Sequence, residues 1–94
     1  MIMQTMIARH RVRDHGVWRK FFDEYEGKRR EYGITNPRVY HNAADQNDLV
    51  ILFDIADEAR VKEFGASDDL AQVAEKAGVV MDTFTIQIIS DPWP

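Results

Sequence analysis

Ninety-four residues, 45% of them hydrophobic and 30% charged, make one small globular domain spanning 1–94, with little capacity to bury surface unaided. The absence of cysteine excludes disulfides, thiolate catalysis and cysteine-held zinc or iron–sulfur centres. The net charge of −4 divides into +4 up to Arg38 and −8 beyond it, with acids interleaved among the bases, which speaks against a nucleic-acid binder.

Residues 3–13, "MQTMIARHRVR", alternate as a strand, with Met6, Ala8, His10 and Val12 on one face and Thr5, Ile7, Arg9 and Arg11 on the other. Asp14 is placed to cap a helix. There Trp18, Phe22, Tyr25, Arg29 and Tyr32 recur at helical spacing until Gly33, with Gly27 as an unfavourable interior residue. "NPRVYHNAA" (36–44) reads as a second strand with Pro37 at its entrance, "DQND" (45–48) as the turn, and "LVILFDI" (49–55) as a central strand buried on both faces. Asp57 is expected to cap a short helix carrying Val61 and Phe64. Ser67 is expected to cap another with a Leu70, Val73, Ala74, Ala77 stripe, ended by Gly78. "TFTIQIIS" (83–90) alternates as a last strand, and "DPWP" closes the chain.

This order, β-α-β-β-α-α-β, predicts an α+β, ferredoxin-like fold with a four-stranded antiparallel sheet and a broken second helix. Helices cover one sheet face. The other, carrying Ile7, residues of 49–55 and Ile86 or Ile89, has no further element to cover it, so a homodimer stacking sheet on sheet is expected. Arg9 and Arg11 could then meet acids of the second copy. No apolar run approaches the roughly 20 residues of a membrane span, and no targeting segment is recognisable, so a cytoplasmic protein without membrane attachment is expected.

His10 shares a face with apolar residues beneath the first helix. It is either a buried ring satisfied by a neighbour or a general base for a phenolic ligand. Trp18, Phe22, Tyr25, Phe53 and Phe64 form an aromatic set that serves as core or as a pocket wall for a flat ligand. His41 and Tyr40 face opposite ways on an outer strand, so at most one of them reaches that pocket, and His41 is the candidate. His15 reads as surface. The three histidines sit on three different elements with no ligand spacing, so no metal and no cofactor are expected. Asp54 needs a partner within its strand, with Arg9 or Arg11 of the first strand the expected one. Lys28, Arg29 and Arg30 read as a solvated, dipole-complementing helix end.

Three stretches, "RHRVRDHGVWRKFFDE" (9–24), "DQNDLVILFDIAD" (45–57) and "FGASDDLAQVAEKAGV" (64–79), resemble the dimeric α+β barrel superfamily that contains the antibiotic biosynthesis monooxygenase domains, and within it a small subgroup with no assigned reaction. The resemblance implies a homodimer closing into an α+β barrel. The superfamily includes cofactor-independent oxygenases of polyphenols, haem-degrading oxygenases, muconolactone-type isomerases and members with no known reaction, and in the first two the ligand lies between sheet and helices. The haem-degrading Asn/Trp/His constellation has no counterpart here, because no histidine follows His41. The polyphenol oxygenases' polar set is not matched position by position. Two functions follow as expectations: a small dimeric pocket protein, as a cofactor-independent oxygenase or isomerase of a small aromatic or polyketide-like compound with His10 catalytic, or a non-catalytic dimeric metabolite-binding or assembly module. The sequence does not decide whether it is an enzyme.

Overall fold

A computed structural model describes residues 4–90. The expected strand start at Met3 and the closing "DPWP" lie outside the described residues. The chain runs β1 (Gln4–Val12), α1 (His15–Glu24), α2 (Glu26–Glu31), β2 (Ile34–Asn42), β3 (Asp45–Ile55), α3 (Glu58–Gly65), α4 (Asp68–Lys76) and β4 (Val79–Ile89). The strands form one antiparallel sheet in the order β2-β3-β1-β4, the ferredoxin-like arrangement.

The local signals act as read. Asp14 accepts the Gly16 and Val17 amides at 2.9 and 3.2 Å, Asp57 accepts Ala59, and Ser67 accepts Leu70. Gly33 and Gly78 stop the helical segments in left-handed conformations, with φ of 73° and 80°. At Gly33 a side chain would also press on Ala56, whose Cβ lies 3.3 Å from where a Cβ would stand.

Five elements differ from expectation. The first helix breaks at Tyr25, which takes φ −89°, ψ 2° and shares its N–H between the Phe21 and Phe22 carbonyls; Gly27, with nothing packed against it, gives the segment after the break little helical drive. The hairpin turn is Ala43-Ala44 rather than 45–48. Its hydrogen bonds come from flanking side chains, with Asn42 Oδ1 accepting the Ala44 amide and Asp45 Oδ1 the Asn47 amide, so Asp45 already belongs to β3. β2 starts two residues early, at Ile34, and Pro37 falls inside it. Pro37 is tolerated because β2 is an edge strand with a bulge between Thr35 and Arg38, where Asn36 adopts φ 52°. β4 starts at Val79 and carries a large bulge: Arg9 pairs with Thr85 but Arg11 already pairs with Val80.

β3 is central but not buried on both faces. Leu49, Ile51, Phe53 and Ile55 are buried under the helices, while Val50, Leu52 and Asp54 are only half-covered on the opposite face. The core lies on the helix side, joined there by Met6, Ala8 and Val12 of β1, Ile34 of β2 and Trp18 of α1. The open side carries Ile7, Val50 and Leu52 among ion pairs. Ile89, opposite Thr5, belongs to it; Ile86, opposite Ala8, stands on the helix side at the β4 edge, beyond helical cover.

Candidate functional site

Alternation along β1 sends Met6, Ala8 and His10 up toward the helices. There the elements do not close completely: a cavity of about 340 Å³ lies between them and the sheet. β1 and β3 floor it with Met6, Ala8, His10, Ile51 and Phe53; Trp18 and Phe22 of α1 and Phe64 of α3 wall it. The α4 stripe of Leu70, Val73 and Ala74 is only half-buried because it faces this space rather than packed side chains. Met81, Phe84 and Ile86 line the cavity while staying exposed, which places its mouth at the β4 edge.

His10 is 5% exposed, and its Nδ1 is buried with no hydrogen-bond partner among the described residues. Its ring stands edge-on to Trp18 at 6.1 Å and is stacked on Phe84 at 5.5 Å. Burial pushes its pKa below the ordinary 6.5, partly opposed by the Arg11 backbone, so the neutral imidazole is the resident form near neutrality. Phe84 reaches this position through the β4 bulge. Thr83 Oγ1 holds the bulge by accepting the Arg11 amide at 2.9 Å and donating to the Val80 carbonyl at 2.6 Å.

From His10 a run of rings leads inward: Trp18 lies 4.7 Å from Phe22, and Phe22 lies 6.1 Å from Phe53. At its far end sits Arg29, 6% exposed, with its guanidinium 3.8 Å above the Phe22 ring and Nη1 donating to the Phe22 carbonyl at 2.7 Å. Burial lowers the Arg29 pKa, partly offset by Glu26 and Asp23. Arg29 is therefore not part of a solvated helix end. Its place in the Trp18–Phe22–Tyr25–Arg29 stripe was the signal, because that spacing turns it to the apolar side. Met81 carried no such signal, since an irregular bulge has no period; Phe84 alternates with Ile86 in "TFTIQIIS", but the bulge beside it is not legible there.

Tyr25 also lines the cavity, but its hydroxyl donates to Asp69 at 2.8 Å, tying the α1–α2 break to α4. Desolvation first, then Asp69, pushes its pKa up to about 12, so the phenol stays protonated. Phe64 packs against Tyr25 and Tyr32. Of the sequence candidates, His10, Trp18, Phe22, Tyr25, Phe53 and Phe64 thus share one wall. His41 does not. It has the helix-side parity, opposite Leu49, but is exposed at the far end of edge strand β2, where Nδ1 lies 2.8 Å from the Asn42 carbonyl.

Asp54 pairs with neither Arg9 nor Arg11. The register sets it opposite Thr5 and Thr35, so its partners come from β2: Asn36 Nδ2 at 3.0 Å and Arg38 Nη1 at 3.2 Å. The Asn36 amide, then Arg38, hold its carboxyl below the usual range. Arg9 and Arg11 meet Asp48 and Asp45 of their own chain instead, at 3.5 and 2.7 Å. Among the described residues no three His, Asp or Glu side chains converge as a metal site, and no helix is long and apolar enough to cross a membrane.

No family model matches the sequence, and no curated protein does. Solved structures do match over nearly the whole length. An antibiotic biosynthesis monooxygenase is 16% identical with a TM-score of 0.69, covering 97% of this chain and 99% of that one. SnoaB, a cofactor-independent oxygenase from Streptomyces nogalater, is 11% identical with a TM-score of 0.68, over 100% and 95%. Rv0793 from Mycobacterium tuberculosis is 17% identical with a TM-score of 0.66, over 98% and 96%. The chain has the ferredoxin-like α+β fold of the antibiotic biosynthesis monooxygenases. Identities this low define the fold and leave the reaction to the site.

Proposed function

We propose that this chain is a dimeric small-molecule pocket protein that deprotonates a small phenolic or polyketide-like aromatic compound, as a cofactor-independent oxygenase or isomerase. The observation that carries the reading is the buried Nδ1 of His10 in the wall of an aromatic cavity, where it meets no hydrogen-bond partner in good geometry among the described residues. A buried polar atom without a partner is costly and calls for an explanation, and a ligand proton is one. The neutral imidazole takes a proton from a phenolic O–H or an acidic ring C–H. The resulting anion spreads its charge over the ring system. It then either accepts a proton at another carbon, which is isomerisation, or gives up electrons to dioxygen. SnoaB, which shares the fold, is described as a cofactor-independent oxygenase, which supports the second course.

Deuterium exchange into the ring carbons of hydroxynaphthalenes in D2O reads proton abstraction whether or not oxygen follows. The parent protein should accelerate exchange, and His10→Ala should lose roughly 10²–10⁴-fold. Equal rates in the two would overturn the catalytic role and leave non-catalytic metabolite binding. A closed assembly module is disfavoured, since it would fill the space and pair His10.

The dimer uses the open sheet face, where Ile7, Val50 and Leu52 remain half-exposed and Ile89 and Tyr40 are 39% and 57% exposed. Sedimentation should find a dimer that Val50→Asp dissociates. A monomeric parent would refute this assembly.

A further inference from the structure

Among the described residues, Arg29 is the one member of the cavity wall with a fixed charge. Arginine cannot shed its proton, so burial leaves it a cation in apolar surroundings. Among the described residues no carboxylate lies within ion-pair distance. The ion pairs of the first helical pair are Arg19–Asp23 and Lys28–Glu31, and Glu26 is exposed without bonding to Arg29. Its one hydrogen bond among the described residues, to the Phe22 carbonyl, uses one of five N–H donors. The Phe22 ring beneath it fixes the plane of the fork without neutralising it. The rest of the wall is apolar apart from Tyr25, whose hydroxyl is engaged by Asp69, and His10, which burial keeps neutral. The cavity therefore has a cation at one end, a neutral base at the other, and aromatic faces between.

We infer that Arg29 is the anion-recognition group of this cavity and that the ligand is a planar aromatic compound bearing a single carboxylate, seated on the guanidinium with its rings along Phe22 and Trp18 toward His10. This rests on the cavity being a ligand site, as proposed above, and adds the ligand's charge and orientation. A carboxylate matches the planar fork with two parallel hydrogen bonds, and apolar walls strengthen that attraction. One cation without a second favours a monoanion over a phosphate dianion. About 340 Å³ is at the small end of ligand cavities, which limits the ring system to a few fused rings.

Calorimetric titration of the full chain with benzoate, 2-naphthoate and anthracene-2-carboxylate, each against its uncharged carboxamide, tests this. At least one acid should bind at least about tenfold more tightly than its amide. Arg29→Met, which removes a buried charge and keeps the side chain's length, should fold and bind acid and amide alike; Arg29→Lys should keep part of the preference. Equal binding of acid and amide by the parent, a preference that survives Arg29→Met, or no binding of any acid at millimolar concentration would overturn the inference. The two readings fail separately. Acid preference without accelerated deuterium exchange removes the chemistry of His10 and leaves Arg29 in place. Exchange without acid preference does the reverse.

Discussion

The two faces of the sheet are built from alternate residues of the same strands and behave as different materials. On the helix side charge is nearly absent: His10 is buried and neutral, and Arg29 is buried with no carboxylate in ion-pair range among the described residues. On the open side charge is abundant and paired within the chain, Arg9 with Asp48 and Arg38 with Asp54. Among the described residues, polar groups short of partners thus collect beside the cavity, and ion-paired ones collect on the open face. Along the strands, alternation alone turns His10 to the first face and Arg9 and Asp54 to the second.

The largest test of that asymmetry compares neighbours. Ile51, 2% exposed, should lose about 2–5 kcal/mol on truncation to alanine in urea denaturation, while Val50→Ala should lose under about 1 kcal/mol at dilutions where the chain is monomeric. A Val50 loss as large as that of Ile51 would break the comparison. Acid separates the faces next. Because burial lowers the pKa of His10 below 6.5, the unfolded chain binds its proton first, so stability is full above that pH and declines as pH falls below it, by up to about 1.4 kcal/mol per pH unit. His10→Leu should flatten the melting temperature between about pH 6.5 and 5, and a slope that persists in the variant would show that His10 is not its source. The carboxyls of Asp45 and Asp54, held below 3.8, add stability that is present above that value and lost only in stronger acid. A smaller effect belongs to the Tyr25–Asp69 link. Tyr25→Phe should cost about 1 kcal/mol and speed amide exchange in α4, and unchanged exchange would mean that the link does not hold the helix. Smallest of all, Asp54→Asn should shift stability by less than about 1 kcal/mol, the range of partly exposed ion pairs; a loss of several would place Asp54 among the buried, functional charges instead.

The contrast between faces also marks what could be read in advance. Strand alternation put His10 beneath the helices, and the caps at Asp14, Asp57 and Ser67 were legible because each depends on a few adjacent residues. Features set by pairing were not. Two alanines form the hairpin turn because Asn42 and Asp45 satisfy it from outside, and Asp54 finds Arg38 only once the β2 bulge fixes register. The β4 bulge that brings Phe84 onto His10 was equally invisible. Arg29 was visible in its stripe and masked by its neighbours: Lys28 and Arg30 make "KRR" look solvated, while only the middle residue turns inward.

The unfilled space between helices and sheet also makes any occupant a participant in folding. A molecule that binds the native chain alone and is present at a hundred times its dissociation constant adds about 2.7 kcal/mol to the free energy of unfolding. At roughly 4–8 °C per kcal/mol for a domain of this size, the melting temperature rises by roughly 10–20 °C. The chain is in that sense its own assay. Heat resistance in a crude extract, compared with that of the purified protein, reports whether the cell keeps the cavity occupied, and fractionating the extract by that gain leads to the compound before any reaction is known.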